Sequence, residues 1–434
     1  NGREAAGYLL RAAAQAGRRF AYAEAVGYLD SALRQVDSLP EGAERDHLEL
    51  ELRGGLCGCL IPLKGTGVDI SRDNLLRMCE LSEKLGDADE HFWASFGLGF
   101  HYSMRLELDT ARELGERQMS IAEDAHDPAK IAAACFALAQ TLFMTGEFKA
   151  AYALAERALK LPPDLPKIPV GEIGDSRTMI LTISASTLSV LGYPVRALER
   201  TREAVAVARQ AGPYSLGLAL TYATQIRQRL RDPEGVFEFA DTLSLLCAKK
   251  GFSGWGTGAT VMRCAGLVEQ GRIEEALSAG EQIILKAEDG VLSTWRTVLI
   301  EAYTRQGRFA EASEQLEIAG RMARQHTLGT LTATLPLLEA NLVVARDGAD
   351  GEAAAERLLR HALEISQRQH AKLFELRAGV ALARLWDGQG RGDDARAILA
   401  PIYGWFTEGF ETVDLLEARE LLGTLSGTGE MAAH

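Results

Sequence analysis

Eight histidines and six cysteines are the side chains of this sequence with the widest chemical reach. A helix holds a catalytic zinc with two histidines four residues apart and a glutamate between them. No two histidines here have that spacing; His91 and His101 stand ten apart and His361 and His370 nine apart, which suits structural or surface roles. Cys57-Gly-Cys59 leaves one residue between its sulfurs, too few for a zinc knuckle or a redox pair. With Cys79, Cys135, Cys247 and Cys264 these cysteines fall mostly at apolar helical positions, so reduced, buried thiols are expected. Gly251-Phe-Ser-Gly-Trp-Gly-Thr-Gly258 is the densest glycine stretch. A phosphate cradle needs a strand before it and Gly-Lys-Ser/Thr after it. Neither is present, and the stretch reads as a loop carrying Trp255 as a packing anchor, with Gly65-Thr66-Gly67 a weaker version of the same pattern. There is no Gly-x-Ser-x-Gly elbow, so only a triad assembled from distant segments would escape a motif search. The chain is expected to be no enzyme, with no metal and no cofactor.

The elements that would position any functional side chain are written in a recurrent phrase, a glycine followed five residues on by an alanine. Gly146 and Ala151, Gly192 and Ala197, Gly271 and Ala276, Gly307 and Ala312, and Gly390 and Ala395 all obey it. Glycine ends one helix, and the small alanine lets the next helix approach its partner closely. From one alanine to the next the steps are 46, 79, 36 and 83 residues, so each long step holds two units of about forty. Weaker units fit around Val236 and around Ala355 and Leu359, and earlier ones around Ala25, around Ala111 and after Lys64. Large residues recur four positions before the glycine, at Leu142, Leu188, Leu267, Tyr303 and Trp386. The apolar period is near 3.6 and Ala, Leu, Glu, Arg and Gln dominate, so no sheet is expected. The predicted fold is all-α, a tetratricopeptide-like right-handed α-solenoid of about ten helical hairpins, in which each hairpin shelters its neighbour's apolar stripe.

In such a solenoid the first helix of each hairpin lines the concave wall. Counting six and three residues back from each phrase glycine selects Gln140 and Phe143, Ser186 and Ser189, Ala265 and Val268, Glu301 and Thr304, and Arg384 and Asp387. The degenerate units add Phe100 and Ser103, and Gln225 and Gln228. This predicts a groove that is aromatic near Phe100 and Phe143, neutral and hydrogen-bonding in the middle, and charged toward Glu301 and Arg384. An extended peptide or a loop of another domain suits it; repeats that grip a C-terminal carboxylate need clustered Lys and Asn, which this wall lacks. The alternative occupant is a small molecule near Tyr222, Gln225, Trp255 or Trp295.

The charge balance, 47 Lys and Arg against 60 Asp and Glu, gives a net −13 with the basic residues dispersed. That removes the electrostatic basis for gripping a phosphate backbone, so no direct nucleic-acid partner is expected. No run of eighteen apolar residues and no charged-then-apolar leader occurs, so neither a membrane partner nor secretion is expected, and a cytoplasmic location is. Asn1 opens directly into helical pattern, which suggests a piece of a longer polypeptide. Residues 161–174 carry four closely spaced prolines and must form a long loop between repeats. The expected division is a solenoid over 1–411, a capping helix over 412–425 with Thr412 as its N-cap, and a flexible tail over 426–434. Trp405, Phe406 and Phe410 are expected to cover the exposed face of the last repeat.

Over the C-terminal third three runs carry a resemblance: Ala353-Ala-Ala-Glu-Arg-Leu-Leu-Arg-His-Ala-Leu-Glu-Ile-Ser, Glu375-Leu-Arg-Ala-Gly-Val-Ala-Leu-Ala-Arg-Leu-Trp386 and Tyr403-Gly-Trp-Phe-Thr-Glu-Gly-Phe410. They are similar to the C-terminal repeats of bacterial multidomain signalling ATPases associated with class III adenylate or guanylate cyclases. Related repeats occur in ATP-dependent transcription activators of the maltose-regulator type. The resemblance implies a regulatory or protein-interaction arm whose partner is a protein or peptide segment, including the ATPase or cyclase domains of the same polypeptide. The second implication is a small-molecule sensor of an ATP-dependent transcription regulator. Neither a Walker lysine motif nor a cyclase core is present in these residues.

Overall fold

The computed structural model describes residues 2–64, 67–165, 174–286 and 295–431. Among them every regular element is helical, and the helices pair in chain order. The first four hairpins are α1 (Gly2–Arg18) with α2 (Tyr22–Asp37), α3 (Ala43–Lys64) with α4 (Asp69–Leu85), α5 (Ala88–Met104) with α6 (Leu108–Asp124), and α7 (Pro128–Thr145) with α8 (Phe148–Leu159). Then come α9 (Ser176–Val190) with α10 (Pro194–Ala211), α11 (Pro213–Arg229) with α12 (Pro233–Lys250), and α13 (Ser253–Glu269) with α14 (Ile273–Leu285). The last hairpins are α15 (Arg296–Arg305) with α16 (Phe309–Gln325), α17 (Gly329–Asp347) with α18 (Glu352–Arg368), and α19 (Lys372–Gly388) with α20 (Gly392–Gly404). A final helix, α21 (Val413–Met431), stands alone. The fold is the all-α, tetratricopeptide-like right-handed solenoid, with ten hairpins.

Local chemistry explains the boundaries. All five phrase glycines take left-handed φ, from +74° at Gly271 and Gly307 to +91° at Gly192, a region a Cβ disfavours. The five phrase alanines are at most 3% exposed. In three other hairpins a non-glycine residue holds the same left-handed turn five residues before the small one: Phe20 before Ala25, Leu106 before Ala111 and Arg231 before Val236. These turns are invisible to a search for glycine. Helix starts are capped by Asp87, Asp127, Asp175 and Asp232, whose carboxylates accept from backbone N–H groups two or three residues on, with Pro128 and Pro233 at the first helical position.

The helix contacts define the superhelix. First helices touch first helices of the next hairpin, α5 with α7, α7 with α9, and so on to α19 with α21. First helices therefore crowd the inside while second helices splay outward. Contacts also join helices ten apart: α3 with α13, α7 with α17 and α9 with α19. Five hairpins thus complete one superhelical turn, and the second turn stacks on the first. At the seam His326 shares a 3.0 Å hydrogen bond through Nδ1 with the Leu106 carbonyl, and Tyr22 stacks on Phe252 with ring centroids 6.0 Å apart.

Several expectations change. Residues 253–258 are not a loop: they open α13, and Trp255 packs against Tyr214 at 4.6 Å and Phe252 at 5.3 Å between ring centroids. Tertiary packing outweighs the poor helix propensity of three glycines, and Gly217 leaves space that a Cβ would take from the Trp255 ring. Thr412 does not cap α21 with its side chain; its hydroxyl donates back to the Gly409 carbonyl at 2.7 Å. The helix runs on to Met431, six residues past Leu425. Gly65 and Thr66, and most of the proline-rich loop at 166–173, lie outside the described residues. Helix α7 is long and apolar enough by composition to cross a membrane, but 67% of it is buried in the solenoid core.

Candidate functional site

The inner wall of the second superhelical turn encloses a cavity of about 350 Å³. Its lining comes from α11, α13, α15, α17, α19 and α21, so six first-position helices ring the superhelix axis and α21 closes the circle ten helices after α11. Ala265, Val268, Leu337, Leu338, Leu376 and Val380 supply apolar surface. Between them stand four guanidinium groups, Arg231, Arg305, Arg377 and Arg384, and four carboxylates, Glu269, Glu301, Asp414 and Glu417.

These charges are paired around the ring, and those of Arg231 with Asp414 and Glu417 span a full superhelical turn. Arg377 makes a two-pronged contact with Asp414 at 2.9 and 2.8 Å and donates to the Arg229 carbonyl at 2.5 Å. Arg231 reaches Glu417 at 2.9 Å, Glu269 at 3.3 Å and Asp414 at 3.4 Å. Arg384 contacts Glu417 at 3.2 Å, and Arg305 pairs with Glu301 while donating to the Val268 carbonyl at 2.6 Å. Burial lowers the proton affinity of Arg231 and Arg377, but the surrounding carboxylates outweigh it and both stay above the ordinary arginine range. Burial pushes Glu301 the other way, above the usual carboxylate range, with Arg305 opposing. Arg231 holds its position with φ +55°, a left-handed conformation that costs a non-glycine residue about 1 kcal/mol and that the three carboxylates offset.

Among the residues selected by counting, Gln228, Ala265, Val268, Glu301 and Arg384 line this cavity. Gln225 is half-buried on α11 and outside the lining. The earlier set is sealed. Phe100 lies against Phe136 at 6.1 Å between ring centroids, and Gln140 accepts a 2.6 Å hydrogen bond from the Tyr222 hydroxyl. Phe143, Ser186 and Ser189 are also buried. The cause is the second turn, because α17 covers α7 and α19 covers α9. Arg231, Arg377, Asp414 and Glu417 escaped the counting because they meet through superhelical pitch, 183 residues separating Arg231 from Asp414. The available signal was an arginine in the phrase-glycine position five before Val236.

The aromatic string near the C-terminus serves the same seam. A Cβ on Gly192 would lie 2.7 Å from Lys372 and 2.8 Å from Trp405, so Trp405 and Phe406 press onto the α9–α10 turn as well as onto their own last hairpin. Glu408 accepts from the backbone N–H groups of Val195 and Arg196 at 3.0 and 3.1 Å, capping α10 from 212 residues away, and its second oxygen takes the Arg196 side chain at 3.0 Å. Phe410 remains 38% exposed and packs edge-on to Tyr403. These residues clamp two turns together, which is more than the covering of one terminal face expected of them.

Burial holds five of the six cysteines in the thiol form. Cys57, Cys79, Cys135, Cys247 and Cys264 are pushed up to about 11 by burial, and no cysteine among the described residues is in a disulfide. Among the described residues no three His, Cys, Asp or Glu side chains gather as metal ligands.

Fold and site together define a helical-repeat protein of the tetratricopeptide-like class. No family model matches the chain, and no curated protein matches it in sequence. Among solved structures it is similar to a Rap protein complexed with competence and sporulation factor, at 16% identity and TM-score 0.49, covering 90% of this chain and 99% of that one. It is also similar to yeast Tom70, at 12% identity and TM-score 0.37, covering 100% and 98%. A third is a Signal Transduction ATPase with Numerous Domains with a tetratricopeptide repeat sensor, from Pyrococcus horikoshii, at 16% identity and TM-score 0.42. That match covers 91% of this chain and 57% of the other. Likenesses this distant add nothing to what the helices themselves establish.

Proposed function

We propose that the chain is a non-catalytic recognition module that receives a peptide or protein segment in the ringed cavity of its second superhelical turn. One observation carries this reading: six inner helices surround a space whose apolar patches alternate with charges of both signs, held in fixed geometry by mutual pairing. A peptide offers the same alternation, with backbone N–H and C=O groups for the paired charges and side chains for the apolar patches. Preformed side-chain pairs lower the ordering cost of binding. The volume is also at the lower end of small-ligand pockets, which favours a metabolite as the second reading.

The finer context is part of the proposal. The Tyr403–Phe410 string supports a place as the regulatory arm of a cytoplasmic signalling ATPase or nucleotide cyclase, with the solenoid over 1–411 and the terminal helix and tail following it. Co-purification with the upstream domains of the parent polypeptide, and an activity change on deletion of the solenoid, are the expected results; their absence removes that context.

The cavity reading is tested by display selection of peptides on the full chain, followed by titration against the wild type and an Ala381→Trp variant. Ala381 is half-buried in the lining on α19, on the helix face it shares with Arg377 and Arg384, so an indole there fills the space between them. Selected peptides should lose at least about tenfold in affinity to this variant, a change of about 1.4 kcal/mol, while its thermal midpoint stays close to wild type. Peptides that bind both proteins equally would place recognition elsewhere. A metabolite panel read by thermal shift tests the second reading, since a ligand at about a hundred times its Kd adds roughly 2.7 kcal/mol.

A further inference from the structure

A second opening lies in the first superhelical turn, away from the ring. Second helices splay outward, so a gap separates each from the next, and ion pairs bridge several of these gaps. Glu123 meets Arg157 between α6 and α8 at 2.7 Å, Glu156 meets Arg200 between α8 and α10 at 3.5 Å, and Glu281 meets Arg308 between α14 and α16 at 3.3 Å. Among the described residues no ion pair joins α4 to α6, and the gap there is a slot of about 190 Å³. Helix α5 is its floor, with Phe92, Ser95 and Leu98, and its walls are Cys79 on α4 and Leu114 and Ile121 on α6. Gln118 belongs to the α6 wall and is 1% exposed. Its Nε2 donates to the Ser95 hydroxyl at 3.3 Å, and its Oε1 is buried with no hydrogen-bond partner. Arg117, one residue earlier, lines the slot with an exposed side chain and forms no ion pair among the described residues.

These features define a complementary molecule. An apolar cavity of about 150 Å³ takes up benzene, whereas drug-sized ligands need roughly 300 Å³ or more, so the slot has room for one aromatic ring. A buried amide oxygen without a partner carries the cost of its lost water, which a donor on the ring recovers. The guanidinium at the rim offers a charge-assisted contact to a carboxylate. Successive helix residues are turned about 100° apart, which sets Gln118 deep and Arg117 at the mouth, so the donor belongs at the inner end of the ring and the carboxylate at the outer end. From this geometry we infer that the slot between α4 and α6 is a binding site for a small aromatic carboxylic acid with one O–H or N–H group on its ring. Such a ligand bridges two outer helices where the fold supplies no ion pair to do so. The site is independent of the ring cavity and of what occupies it.

The test is calorimetric titration of the full chain with three probes: para-hydroxyphenylacetate, phenylacetate, which lacks the donor, and para-cresol, which lacks the carboxylate. Para-hydroxyphenylacetate should bind most tightly, with each of the others weaker by about fivefold or more. On Gln118→Met, which keeps the length of the side chain without its acceptor, the advantage over phenylacetate should vanish, and on Arg117→Gln the advantage over para-cresol should vanish. Arg117→Gln changes an exposed side chain, so it tests the site even if Gln118→Met fails to fold. The Ala381→Trp variant should bind the acid as the wild type does. No binding of para-hydroxyphenylacetate at millimolar concentration, equal affinity for all three probes, or an advantage over para-cresol that persists in Arg117→Gln would overturn the site. Binding of a tyrosine-containing peptide but not of the free acid would overturn it in favour of a partner's side chain, and loss of binding in Ala381→Trp would move the ligand to the ring cavity.

Discussion

At the residue scale the seam makes equivalent repeat positions unequal. Gly192 and Gly271 occupy the same place in the phrase and have similar left-handed φ, but a Cβ on Gly271 meets nothing within 4 Å, whereas one on Gly192 meets Lys372 and Trp405. Gly271→Ala should therefore cost only the conformational term, about 1 kcal/mol, and Gly192→Ala about 2–4 kcal/mol, read as a difference in urea midpoint. Equal losses would mean that the first and second turns do not touch there. Glu49 gives a second residue-scale prediction. Hydrogen bonds from Arg77, opposed by burial and supported by Arg53, hold its carboxyl at about 2 instead of 4.5. Its contribution is complete above pH 4.5 and is lost as pH falls toward 2. Glu49→Gln should destabilise the chain at pH 7 by on the order of 2–3 kcal/mol, and the gap from wild type should narrow between pH 4.5 and 3. A gap independent of pH would contradict the pairing.

At the element scale the hairpin is the unit, and it was legible in the sequence because its determinants are local. Gly146, Gly192, Gly271, Gly307 and Gly390 announce the turn, and Ala151 through Ala395 mark the close approach. Replacing Ala197 or Ala276 with Leu should overpack the hairpin and cost about 1–3 kcal/mol by thermal denaturation, while Ala353→Leu, on an exposed helix face, should be nearly silent. Where the turn is made by Phe20, Leu106 or Arg231 the phrase has no glycine, because packing or ion pairs compensate a left-handed side-chain residue. The start of α13 was hidden for the opposite reason: local glycine density argues for a loop, and contacts of Trp255 with distant aromatics decide for a helix. Residue counting found Gln228, Glu301 and Arg384 in the cavity lining, because facing within a hairpin follows the 3.6 period. It could not find Asp414 and Glu417, since their meeting with Arg231 depends on the angle added at each hairpin over a full turn.

At the scale of the whole molecule, stacking of the second turn on the first converts an open array into a closed one. A simple solenoid has only nearest-neighbour terms and can unravel from its ends. Here Arg231 and Arg377 hold α21 against α11 and α19, and Glu408 holds the loop before α21 against α10. Asp414 is 4% exposed and serves both arginines, so Asp414→Asn should cost about 3–5 kcal/mol and uncouple the C-terminal hairpins from the rest. Two separated unfolding transitions in the variant and one in the wild type is the expected calorimetric result. The superhelical closure is also what makes the cavity, because its ring is complete only when α21 returns over α11.

The most direct measurement is hydrogen exchange of the full chain with and without a selected peptide. The account predicts slowed exchange in the inner helices α11, α13, α15, α17, α19 and α21 together, with the outer helices α12, α14, α16, α18 and α20 little changed. Protection confined to the outer helices, or to the first superhelical turn, would contradict it.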